Sequence, residues 1–97
     1  MQEIKSPRLL AEERLLLSEE YSRYAGELAE YIKKEAHFFG EHRQEYKSDS
    51  TCQKAFARTD DGARMTILKL KLKSIVQKMS GIKTMIEVLT NEAHGIY

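Results

Sequence analysis

Met65, Leu68, Leu72, Ile75, Met79, Ile82, Ile86, Leu89, Ala93 and Ile96 follow one another at alternating intervals of three and four residues. Side chains so spaced lie along one stripe of an α-helix, and a stripe sustained over several heptads demands a helical neighbour. Within it, "MTILKLKLKSIV" (residues 65–76) also alternates apolar and basic side chains in the manner of a half-buried strand. Ten positions that obey the helical template outweigh that short alternation. The last third of the chain therefore reads as one helix, about residues 60–94.

What lies off the stripe is unusual. At about 100° per residue, Ile67, Leu70, Ser74, Gln77, Gly81, Thr84 and Val88 form a second row opposite the first, and the row contains no charge. Most of the lysines fall on the flanks between the two rows. A helix packed against a single neighbour normally turns charge outward, so these seven residues are the candidate partner-binding surface. Two covers for the row are open, beside the reading that it is only scattered apolar residues tolerated on a surface. One is the short connecting helix or a bend in the first helix. The other is a second copy or a partner protein, with Ser74, Gly81 and Thr84 allowing close approach.

Upstream, Ser6-Pro7 has the form of a helix start: a capping hydroxyl, then proline at the first helical position. Leu17, Tyr21, Tyr24, Leu28, Tyr31, Glu35, Phe38 and His42 keep the same alternating spacing. A parallel row of Ser18, Ser22, Ala25, Ala29, Ile32, Ala36 and Phe39 makes with them one broad, largely uncharged face. This first helix is expected over about residues 7–46, with Ser18 and Gly40 as places where it can bend or break. Ser50 with Gln53 resembles a capping box and predicts a short helix at about 51–58. Thr59, before Asp60 and Asp61, is the expected cap of the last helix.

The expected fold is all-α and a single domain over residues 1–97. It is an antiparallel hairpin of two long helices, about 7–46 and 60–94, joined by a connector (47–59) that contains the short helix. Arms of that length reach roughly 50–60 Å. Two such helices cannot cover their own apolar faces, so homodimerisation into a four-helix bundle, or docking on a partner, is the expectation.

Sixteen basic residues against fifteen acidic ones leave a net charge of +1, which in bulk points to neither nucleic acid nor membrane. The distribution is more telling. Residues 1–46 carry ten acidic and seven basic side chains, whereas Ala63 to Ile86 holds six basic residues and no acidic one. Lys69, Lys71, Lys73 and Lys78 are therefore the candidate residues for the alternative reading, a salt-sensitive nucleic-acid surface. Tyr21, Tyr24, Tyr31, Phe38 and Phe39, which could stack on bases, sit on the other helix at core spacing. No stretch approaches the ~20 apolar residues of a membrane span. The lone Cys52 excludes an internal disulfide and favours a reducing compartment, so a cytoplasmic location is expected.

Catalytic patterns are weak. His37 with Glu41, and His42 with Glu45, stand at spacings that meet on a helix. The paired motifs of metalloproteases and di-iron bundles are missing, however. Cys52 has no neighbouring base to activate it. Glu12-Glu13, Glu19-Glu20 and Asp60-Asp61 diverge by about 100° per residue on a helix. The expectation is a protein that is not an enzyme, with no catalytic or metal site, no cofactor and no small-molecule substrate.

The C-terminal half has a further order: Lys47, Ser48 and Asp49 in the connector; Phe56 before Thr59, Asp60, Asp61 and Gly62; then Asn91, Glu92 and Ala93 near the aromatic Tyr97. In this it resembles small uncharacterised accessory proteins of phages and prophages. The resemblance implies a non-enzymatic protein acting in a bacterial host cytoplasm by binding another protein. The implied roles are an inhibitor of a host defence system such as CRISPR, or an adaptor in recombination.

Overall fold

Ser6 is extended, and its hydroxyl accepts the N–H of Leu9 at 3.2 Å, so the first helix starts at the proline as the cap requires. The computed structural model describes residues 6–94, with side chains as far as Asn91. In order come α1 (Pro7–His42), a 3-10 turn (Arg43–Glu45), α2 (Asp49–Ala57) and α3 (Asp60–His94). There is no strand among the described residues. The protein is an all-α helical hairpin, 64 × 24 × 24 Å, in which α1 and α3 pack along each other.

Two details differ from the sequence expectation. First, α1 ends at His42, not near residue 46, although it passes Ser18, Gly26 and Gly40 unbroken. Arg43 ends it by turning its guanidinium onto the Tyr46 carbonyl at 2.8 Å and onto the Asp49 carboxylate. That satisfies acceptors beyond the helix end and draws the chain round. Second, α2 is capped by Ser48, not Ser50. The Ser48 hydroxyl accepts the N–H of Thr51 at 3.2 Å and shares a hydrogen bond with the Thr51 hydroxyl at 2.8 Å. Asp49 then occupies the acid-favouring first turn. The broad uncharged face of α1 is covered along one row only, in keeping with two helices that cannot cover their own apolar faces. Leu17, Tyr24, Leu28, Tyr31, Glu35, Phe38 and His42 are half-buried, while Ser18, Ser22, Ala29, Ile32 and Ala36 face solvent. A single facing helix covers only a narrow arc.

The expected cap at Thr59 is present. Its hydroxyl accepts the N–H of Gly62 at 3.0 Å and donates to the carbonyl of Phe56 at 2.6 Å, so one side chain ends α2 and starts α3. Gly62 is required there. A Cβ would collide with the Phe56 carbonyl and lie 2.7 Å from the Ala57 Cα, both backbone atoms that cannot step aside.

The stripe of α3 faces inward: Met65, Leu68 and Ile75 are buried, and Leu72, Met79, Ile82, Ile86 and Leu89 half-buried. The Ala93 side chain, Ile96, the Glu92 side chain and Tyr97 lie outside the described residues. The fully buried apolar set is small: Leu10, Cys52, Phe56, Met65, Leu68 and Ile75. The chain keeps 7600 Å² accessible, about a third more than the roughly 5,700 Å² that a globular monomer of its mass would show. Among the described residues, no helix is long and apolar enough to cross a membrane.

Candidate interaction surfaces

The outer row of α3 is bare. Ile67 is 46% exposed, Leu70 62% and Val88 50%, and Ser74, Gln77, Gly81 and Thr84 are exposed as well. Neither α2 nor any bend of α1 covers it. The row is apolar at its two ends and small or polar in between. Thr84 donates its hydroxyl to the Ser80 carbonyl at 3.1 Å, which spends that group within the helix. Nothing lies within 4 Å of where a Cβ would stand on Gly81, so the middle of the row is open.

The four candidate lysines do not form one strip. Lys69 and Lys73 leave α3 on one flank and Lys71 and Lys78 on the other, roughly 140–180° away at 100° per residue. Lys71 is already engaged, its ammonium 4.9 Å from the Tyr24 ring centroid. Lys69, Lys73 and Lys78 have no ion-pair or ring partner among the described residues.

Charge contacts between the arms gather on the flank of Lys71. Arg64 donates from Nε and Nη2 to one oxygen of Glu27, at 3.0 and 2.7 Å. The hydrogen bond to Glu27 raises the Arg64 pKa above its ordinary value, against a smaller opposing effect of burial. Lys34 lies 3.5 Å from Asp61 and sits over the Tyr31 ring. On the other flank an open groove of about 330 Å³ is lined by Ala11, Arg14, Leu15 and Ser18 of α1 and by Met79 and Ile86 of α3.

The residues weighed for catalysis stay apart from one another or on the surface. His37 pairs with Glu41 at 2.8 Å and His42 with Glu45 at 3.1 Å, along the exposed end of α1. Among the described residues no three His, Cys, Asp or Glu side chains come together as a metal site. Cys52 is fully buried in the closed end of the hairpin.

Sequence reasoning missed the difference between the two flanks. Its signal was present in the uncharged second row of α1 and in the Lys69/Lys73 spacing, but joining them needs the register of one arm against the other. No family model matches the chain, and no curated protein or solved structure is significantly similar to it.

Proposed function

We propose that the chain is a non-enzymatic accessory protein of the phage type that works by binding a protein, either another protein or a second copy of itself. The roles that fit are an inhibitor of a host defence system such as CRISPR and an adaptor in recombination. One observation carries the reading: the uncharged row Ile67, Leu70, Ser74, Gln77, Gly81, Thr84 and Val88 is exposed along α3, with none of the described residues covering it. Surplus accessible surface on so small a core supports it, and the phage resemblance supplies the setting, a bacterial cytoplasm.

The test is a Leu70→Glu/Gly81→Glu double variant. Both sites are open, and glutamate is a good helix former, so helicity by circular dichroism is expected to persist. Sedimentation and capture from a bacterial host lysate are expected to lose the associated species. Unchanged association in both measurements rejects the row as an interface. The alternative, nucleic-acid binding through Lys69, Lys71, Lys73 and Lys78, is favoured by the unpaired state of three of them. It predicts a gel shift at low salt that fades steeply toward physiological salt. The division of those lysines between two flanks makes it the weaker reading.

A further inference from the structure

One side of the hairpin carries a charge pattern that the fold does not use. At about 100° per residue, Ser18, Ser22, Ala25, Ala29, Ile32 and Ala36 share one sector of α1, beside the stripe that faces α3. Arg14 is the only charged residue of α1 inside that sector, with Lys33 at its outer edge. The acids of α1 lie elsewhere, five of them around the opposite flank and Glu13, Glu20 and Glu35 along the stripe itself. The adjoining sector of α3 holds Lys69, Lys73, Val76, Ser80 and Lys83, with Glu87 as its one acid at the open end. The antiparallel pairing brings the two sectors to the same side, which is where the Arg14–Met79 groove opens. Arg14, Lys69, Lys73 and Lys83 have no ion-pair partner among the described residues.

We propose that this side docks an acidic amphipathic helix of a partner protein, an inference that rests on the protein-binding reading above and gives the partner its chemistry. Among the described residues, four cations share this side with Glu87 as the one acid near them, beside Lys83, and that net positive surface calls for an acidic partner. The small side chains at 18, 22, 25, 29 and 36 let a third helix approach to the 8–10 Å typical of packed helices. Met79, Ile86 and Leu15 give the groove apolar walls for one or two of its side chains, and exposed Ile32 and Val76 extend them. The incoming helix would use the groove mode of recognition, with apolar anchors at i, i+3 or i+4, and i+7.

Two other occupants fit less well. A polynucleotide would use a continuous cationic track, whereas Lys71 and Lys78 point to the opposite flank. A second copy docked face to face would set lysine against lysine. Docked by its acidic flank instead, it would make a head-to-tail contact, which builds rings or filaments and not a two-fold dimer.

A randomised library of helix-forming peptides panned against the full chain tests this. Peptides with Asp or Glu beside an apolar stripe are expected to be enriched. The best of them are expected to bind about tenfold or more weakly to a Lys69→Glu/Lys73→Glu/Lys83→Glu variant. Ala29→Gln, neutral and helix-compatible, is expected to weaken them too, because it fills the line of close approach. Helicity by circular dichroism confirms that each variant is folded. Enrichment of neutral or basic peptides, or binding indifferent to these substitutions, overturns the proposal. So does a labelled DNA or RNA oligonucleotide bound at physiological salt with dependence on the lysines and indifference to Ala29→Gln. A change of oligomeric state in the lysine variant alone overturns it in favour of self-association. Should Leu70→Glu/Gly81→Glu abolish partner capture while the lysine variant leaves it intact, this inference falls and the protein-binding reading stands.

Discussion

At the closed end of the hairpin, Cys52 and Phe56 of α2 and Met65 and Leu68 of α3 are all buried, and the Phe38 and Phe56 rings lie 5.4 Å apart. At the open end Leu9, Leu15, Leu16, Met85 and Val88 each keep half or more of their surface in water, and among the described residues there only Leu10 is buried. The residue types are alike, so the contrast comes from the number of elements. Two helices enclose only the line between them, and a third, even the nine residues of α2, closes a further side. A core in the usual sense exists only where three elements meet. The open end is where something else is wanted.

Substitutions sharpen this contrast. Phe56→Ala is expected to cost the most, about 3–5 kcal/mol, read as a lower urea midpoint. A cost no larger than that of an open-end leucine would break the comparison. Thr59→Ala removes the cap shared by α2 and α3 and is expected to cost about 1 kcal/mol. A null effect there would mean that Gly62 and Phe56 hold the turn without the hydroxyl. Leu16→Ala is expected to change the stability of the isolated chain by no more than about 0.5 kcal/mol. A loss of several kcal/mol would place Leu16 in a packed environment and remove the distinction between the two ends.

Much of the fold was legible in the chain. The alternating spacing from Met65 to Leu89 placed α3, Ser6-Pro7 placed the start of α1, and Thr59 placed the start of α3, because periodicity and capping are local properties. The errors were also local. Ser50 and Ser48 are equally good caps on paper, and the partnership with Thr51 chose Ser48. No pattern marked His42 as the last residue of α1, since Arg43 reaches its partners only once the chain has turned. The candidate surface was partly legible. The uncharged row of α3 can be read from a helical wheel, but whether anything covers it cannot.

By itself the sequence determined the two long helices, their starts at Ser6 and Thr59 and the stripe that each arm turns inward, because backbone hydrogen bonding and apolar spacing act within a few residues. Only the tertiary structure decided that α2 seals one end and leaves the other open. It alone set the antiparallel register that gathers Arg14, Lys69, Lys73 and Lys83 on one side and Glu27 with Arg64 on the other. That arrangement depends on how far one arm slides along the other, a quantity fixed by packing between distant segments.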